Sequence, residues 1–347
     1  MIQKNSKYRI SFIIPTYNSG KLLIRSVKSI LAIGLSSFEI IVIDDGSTDN
    51  SVLLLKEMLK REDRLNFVRI LKGEHNGAGA ARNLGIRSSC GDYIMFVDAD
   101  DCLVNLNYLR GWIKESKNSD LVVFSHNFYD EFINPKSSTL IKSNLGLLKE
   151  NIYDSGPVSK LFRREFLNDY QIKFPIDIVI GEDLLFNLKV LQFAKKINFI
   201  NKGIYKVIDN HASITHSTDE KLIVSDTLRL LVTVNKELLN FANSKELIIA
   251  FSLKTYFMLL IKLVKLDIPV SSLSKILFDI RCRILQEPEF NGKRFFRIKI
   301  LKETYSIIQK LVLLITWYCT NSVLLALLSL VLRKFLLRRK ERKEYII

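Results

Sequence analysis

Three acidic clusters, a small-residue turn and one strand-end tyrosine are the parts of this sequence best suited to chemistry. Asp98-Ala99-Asp100-Asp101 follows the apolar run Tyr93–Val97 directly. Three carboxylates within four residues repel one another strongly unless a cation sits among them. Hard dications such as Mg2+ and Mn2+ take oxygen ligands and commonly bridge to a substrate phosphate. Asp44-Asp45-Gly46-Ser47-Thr48-Asp49 places two adjacent carboxylates before a glycine. That pattern leaves Asp45 able to accept from a base N–H or a ribose hydroxyl, while Ser47 to Asp49 cap the helix that follows. Asn76-Gly77-Ala78-Gly79-Ala80-Ala81-Arg82-Asn83 lets a backbone approach closely and opens a helix whose N-terminus favours anions. Arg82, one turn in, would reach a nucleotide or phosphate oxygen. Pro15-Thr16-Tyr17-Asn18 ends an apolar run; the proline should end the strand's ladder, and Tyr17 offers a flat face to a base. Glu182-Asp183 follows Gly181 at the head of a helical pattern. An acidic pair there serves equally as dipole complementation or as a general base.

The elements that position these clusters alternate between β-rich and helical patterns. Strands are expected over Arg9–Ile14, Glu39–Ile43, Asn66–Ile70 and Asp92–Val97. Helices are expected over 19–32, 49–60 and 79–88. The βαβαβαβ order predicts a parallel sheet with helices on both faces, and every cluster within it falls where a strand ends. Asp120–Ser125 reads as a further strand, and residues 134–151 as a variable polar loop. From Thr227 onward the strand patterns give way to long apolar-basic helical ones, and a boundary near residue 220 divides the chain into a first part, 1–220, and a helical part, 221–347.

Taken in order and spacing, PTYN, DDGSTD, NGAGAARN and DADD resemble the family 2 inverting glycosyltransferases of GT-A fold, over roughly residues 8–215. The resemblance implies an α/β, mostly parallel sheet and a nucleotide-sugar donor, usually a UDP-sugar. It further implies a Mn2+ or Mg2+ ion and single-step transfer to a hydroxyl of a glycan or lipid-linked acceptor. Pro15, Tyr17, Asp45 and Arg82 would line the nucleotide, Asp98 would face the ribose and Asp100 would ligate the metal. Glu182-Asp183 resembles the acceptor-side acidic motif of the family, with Asp183 as general base and Glu182 as the alternative. His216, rather than His211, is the candidate for a further metal or diphosphate contact. A nucleotidyltransferase also sets acids and Mg2+ on a parallel sheet. It should carry a glycine-rich basic phosphate loop after the first strand, which PTYNSGK only faintly imitates. A membrane-bound scaffold with a degenerate transferase domain is the non-enzymatic alternative. No QxxRW motif points to a processive synthase.

Charge and hydropathy separate the two parts. Residues 1–210 carry 29 Lys/Arg against 24 Asp/Glu, a net +5; residues 211–347 carry 23 against 12, a net +11. A region both basic and apolar suits an anionic membrane surface, and no nucleic-acid motif accompanies it. Leu311–Leu332 is uncharged and long enough to span a bilayer, which needs about 20 residues. It is interrupted by Thr316, Thr320, Asn321 and Ser322 and flanked by basic residues on both sides. Positive charge on both flanks favours helices lying in the interface of the cytoplasmic face. A buried helical pair, at a homo-oligomer contact, is the soluble alternative. Cys90, Cys102, Cys282 and Cys319 show no metal-ligand spacing and suit a reducing compartment. The short apolar run before Pro15 reads as a strand rather than a secretion signal, so the catalytic part is expected in the cytoplasm.

Overall fold

A computed structural model describes residues 8–34, 37–115, 118–125, 156–178 and 181–208, with 229, 230 and 233. The chain divides into two units, Met1–Ala212 and Ser213–Ile347. The boundary expected near residue 220, the candidates His211 and His216, the loop 134–151 and the segment 311–332 all lie outside the described residues.

The first unit opens with β1 (Tyr8–Thr16), α1 (Gly20–Leu31), β2 (Phe38–Asp44), α2 (Ser51–Arg61) and β3 (Val68–Lys72). It continues with α3 (Gly77–Ser88), β4 (Gly91–Phe96), β5 (Cys102–Leu103), α4 (Leu106–Glu115) and β6 (Leu121–Ser125). Then come β7 (Lys160–Arg163), α5 (Arg164–Asp169), α6 (Glu182–Phe193), β8 (Ile197–Gly203) and β9 (Tyr205–Lys206). Seven strands form one sheet in the order β3-β2-β1-β4-β7-β6-β8. β3, β2, β1 and β4 run parallel; β7 is antiparallel to both β4 and β6.

Side-chain alternation along the strands builds a core on each face. Ile10, Phe12, Ile14, Ile40 and Val42 pack with Leu23, Val27 and Ile30 of α1 and Leu55 and Leu59 of α2. Ile13, Ile41, Ile43, Ile94 and Phe96 face the other way, against Ala81 and Ile86 of α3, Phe166 of α5 and Phe186 and Val190 of α6. The sheet grows from β1 to β3 with α1 and α2 on one face. It then returns to β4, on the far side of β1, with α3 on the other face. The strand order reverses between β1 and β4, and this is where open α/β sheets bind ligands.

Pro15 does not end the β1 ladder, which keeps its register with β2 through Pro15↔Ile43 and Thr16↔Asp44. The Ile13 carbonyl accepts from Val97 N on the β4 side. Two residues on, Pro15 faces that same side, where β4 no longer pairs, so its missing N–H leaves no bond unmade. The small residues of α3 have a packing reason as well. A Cβ on Gly85 would lie 2.3 Å from Cγ2 of Ile13 in the fully buried centre of β1. Overpacking costs about 1–3 kcal/mol, against roughly 1 kcal/mol gained by alanine over glycine in a helix. At 2.3 Å the upper end of that cost applies, so Gly85→Ala should lower unfolding free energy by about 2 kcal/mol. Denaturant unfolding measures this, and an unchanged or raised midpoint would show that α3 does not sit so close to β1.

Candidate functional site

The carboxyl ends of the four parallel strands carry the loops after Thr16, Asp44, Lys72 and Phe96. Asn18 ties the first two loops together: its Oδ1 accepts from Thr48 N at 2.8 Å and Asp49 N at 3.2 Å. Ser47 Oγ in turn accepts from Asn18 N. Asp44 is absorbed locally, accepting from Ser47 N at 3.0 Å. Of the residues expected to cap α2, only Asp49 does so, accepting from Ser51 N at 3.0 Å and from Gly20 N at 3.1 Å.

Asp45 is buried, and its two oxygens accept from Asn76 N at 3.2 Å and Gly77 N at 2.8 Å. It therefore caps α3 from across the sheet, fixing the small-residue turn. Beside it, His75 Nδ1 meets the Asp45 carbonyl at 2.7 Å, and the imidazole lies 4.8 Å from the ring of Tyr17 at 44°. Since a carbonyl only accepts, Nδ1 carries the proton. Gly46, at φ +88°, leaves no side chain to obstruct the imidazole; a Cβ there would come within 3.3 Å of it. Tyr17 remains about half exposed, so the pair forms an aromatic ledge at the mouth. His75 had no signal in the sequence beyond preceding Asn76, because neither its left-handed φ of 58° nor its partner is local in pattern.

The three aspartates after β4 separate. Asp101 is buried, taking a hydrogen bond from the Tyr205 hydroxyl at 2.8 Å and another from Ile208 N at 2.9 Å. Burial pushes its pKa up to about 6, and the neighbouring charges of Asp98 and Asp100 add to the rise. Tyr205 reaches this position because β9 pairs with β5; no sequence pattern had marked it. Asp98 turns to Arg82 Nη2 at 3.0 Å. Asp100 is half-buried, its carbonyl accepting from Arg25 Nη2. The cluster is therefore not a common cage for a cation. Among the described residues no group of three or more His, Cys, Asp or Glu could hold a metal ion. A dication at Asp100, the ligand expected from the sequence, would have to draw its further oxygens from a bound diphosphate.

Arg82 is where α3, β4 and α6 meet. Its side chain is 6% exposed, with Nη1 2.8 Å from Asp183 Oδ1 and 3.6 Å from Glu182 Oε1. Its guanidinium carbon lies 5.4 Å from the centre of the Phe174 ring, which stacks on Phe186 at 3.9 Å. Asn83 grips the Phe174 backbone on both sides, donating to its carbonyl at 2.9 Å and accepting from its N–H at 2.8 Å. Gly79 completes the contact: a Cβ there would lie 3.1 Å from the Pro175 carbonyl and 3.5 Å from Glu182 Cγ. Burial works against the charge of Arg82, but the carboxylates of Asp183, Asp98 and Glu182 outweigh it and raise its pKa. Burial, with the adjacent Asp183 charge, pushes Glu182 up to about 7, and Arg82 opposes the rise. Of the two neighbouring carboxylates, Asp183 makes the closer ion pair with Arg82.

A mostly parallel α/β sheet with an aromatic ledge, a capped small-residue turn and strand-end acids defines a GT-A-like fold. The chain belongs to glycosyl transferase family 2, whose family model matches residues 11–180. It is 29% identical over 223 residues to the poly(ribitol-phosphate) beta-N-acetylglucosaminyltransferase TarP of Staphylococcus aureus, covering 60% of this chain and 67% of that protein. It is 27% identical over 219 residues to the uncharacterized glycosyltransferase EpsJ of Bacillus subtilis, covering 59% of this chain and only 62% of EpsJ. In fold it is similar to S. aureus TarS 1–349 in complex with UDP-GlcNAc. The TM-score is 0.65 at 22% identity, over 94% of this chain and 92% of that one.

The raised Glu182 fixes a pH dependence. The folded chain keeps a proton that the unfolded chain releases above its ordinary value of 4.5, so stability falls as pH rises from about 4.5 to about 7. Glu182→Gln imitates the protonated form and removes this loss. Its melting temperature should exceed that of the unsubstituted protein by more at pH 8 than at pH 5. An equal difference at both pH values would show that Glu182 titrates normally. Asp101 titrates in the same window but is common to both proteins.

Proposed function

We propose that the protein transfers a single sugar, with inversion, from a UDP-sugar to a hydroxyl of a cell-surface polymer or lipid-linked glycan. The observation that carries this is the meeting of strand-end acid and helix-head acid at one guanidinium, Asp98 and Asp183 on Arg82. A donor bound over β4 and an acceptor approaching α6 would then share one reaction space. The nucleotide-sugar in the TarS complex and the polymer named for TarP support the substrate classes, a UDP-N-acetylhexosamine or hexose donor and a polymer acceptor.

The base of the nucleotide would lie on the Tyr17–His75 ledge beside Pro15 and Asp45, with the ribose toward Asp98. Asp183 removes the proton of the acceptor hydroxyl as that oxygen attacks the anomeric carbon from the face opposite the diphosphate. The bond from that carbon to the diphosphate oxygen breaks, and its electron pair leaves with the nucleoside diphosphate. One displacement inverts the centre, with no covalent enzyme intermediate. Glu182, raised to about 7, is about half protonated at neutral pH and stands as the alternative base. Asp100 would hold Mn2+ or Mg2+, which when bound would stabilise the charge on the leaving diphosphate.

No helix among the described residues is long and apolar enough to cross a membrane. We read the basic, apolar region 221–347 as attaching the enzyme to an anionic cytoplasmic membrane surface, where a lipid-linked acceptor would reach it. Recovery of the full-length protein in the soluble fraction at low salt without detergent would remove this attachment.

Incubation with Mn2+ and a panel of nucleotide sugars tests the reaction, read as release of the nucleoside diphosphate. One UDP-sugar should be turned over. Asp183→Asn should lower that turnover by about 10²–10⁴-fold, the usual contribution of general-base catalysis, while UDP still binds. Asp100→Ala should abolish the dependence of donor binding on the dication. Near-normal turnover of Asp183→Asn, or full activity under strong chelation, would refute the base or the metal assignment respectively.

A further inference from the structure

We propose that Arg82 is a positioning residue for the acceptor-side base, holding the Asp183 carboxylate in register with Asp98, rather than a contact to the nucleotide. The inference rests on the function proposed above and assigns Arg82 a role that its place in the NGAGAARN turn does not suggest.

The geometry leaves little room for a nucleotide at this guanidinium. Nη1 and Nη2 are each committed to a carboxylate, at 2.8 and 3.0 Å. Phe174 lies against the guanidinium plane, and the side chain is 6% exposed. A phosphate or base reaching Nη1 or Nη2 would have to displace an acid, and the one nitrogen without a partner, Nε, is buried. The surroundings are instead built to keep the fork still. Asn83, the next residue on α3, fixes the Phe174 backbone, and Phe174 stacks on Phe186 of α6, the helix that presents Asp183. The arginine, the ring over it and the helix bearing the base therefore form one rigid body. Its planar fork is the reason the position takes arginine, since a lysine ammonium offers charge without two fixed directions. A misplacement of about 1 Å in a reacting group costs on the order of 10²-fold in rate. Arg82 thus acts through the aim of Asp183, with Asp98 as the fixed reference on the donor side.

A double-substitution cycle in the full-length protein tests this, with the UDP-sugar selected by the panel and UDP itself as the binding probe. Arg82→Lys should lower kcat by about 10–10²-fold, with the donor KM and the calorimetric affinity for UDP little changed. In the Asp183→Asn background, Arg82→Lys should lower kcat no further, because a residue that only aims the base has nothing left to aim. Arg82→Met, which removes the charge, should be partly restored by added guanidinium ion, whereas a residue serving only the fold gains nothing from it. Loss of UDP affinity with kcat retained would make Arg82 a nucleotide contact and overturn the inference. So would equal fold-losses from Arg82→Lys in the two backgrounds. Near-normal turnover of Asp183→Asn would overturn the base assignment first and this inference with it. Additivity on top of an impaired Asp183→Asn would overturn this inference alone. If Arg82→Met fails to fold, the lysine cycle still decides between these outcomes.

Discussion

One buried positive charge faces three carboxylates from two distant segments, and the site is arranged around that imbalance. Removing a guanidinium from water costs several kcal/mol unless the charge is paired in good geometry. Arg82 meets this cost with Asp98, Asp183 and, more distantly, Glu182. The pairing constrains α3, β4 and α6 together, since each supplies part of it. It also explains the small residues of the α3 turn. With side chains at Gly79 and Gly85, α3 could not approach both the Phe174–Pro175 backbone and β1 closely enough for Arg82 to reach.

Residues of one chemical type divide into different tasks according to what surrounds them. Asp45 spends its two oxygens on the N-terminus of α3, and Asp101 is held by Tyr205 and a backbone N–H. Both acids fix the backbone around the mouth of the cleft. Asp98 and Asp100, three and one residues from Asp101, stay nearer the surface, where a donor would lie. Glu182 and Asp183 are neighbours in sequence, yet burial raises the pKa of Glu182 while Asp183 takes the nearer ion pair with Arg82. The repulsion expected within DADD is relieved largely by an arginine and a tyrosine, because the loop turns its third acid inward.

Much of the first unit was legible because parallel strands buried on both faces read as continuous apolar runs. β1, β2 and β4 were legible from their apolar runs, β6 began one residue later than expected, and β3 ran two residues later. β7 was not legible as a strand: Lys160–Arg163 is short, antiparallel and carries a lysine that is itself buried. The β5–β9 pair is two residues wide on each side, too short to leave a period in the sequence. Pro15 misled for a specific reason: its effect on a ladder depends on whether a neighbour pairs on the side its N–H would face, which sequence does not record.

The order of the motifs and the alternation of strand and helix were enough, by themselves, to place the acidic and small-residue clusters at strand ends and to predict a mostly parallel α/β sheet. Local patterns encode these, since burial on two faces and helix periodicity are properties of neighbouring residues. Which acid meets which partner was decided only by tertiary structure. Arg82 and Asp183 are 101 residues apart, and Tyr205 and Asp101 are 104. A charge pair across such a distance depends on helix placement and close backbone approach, and these exist only once α3 and α6 have packed on the same face of the sheet.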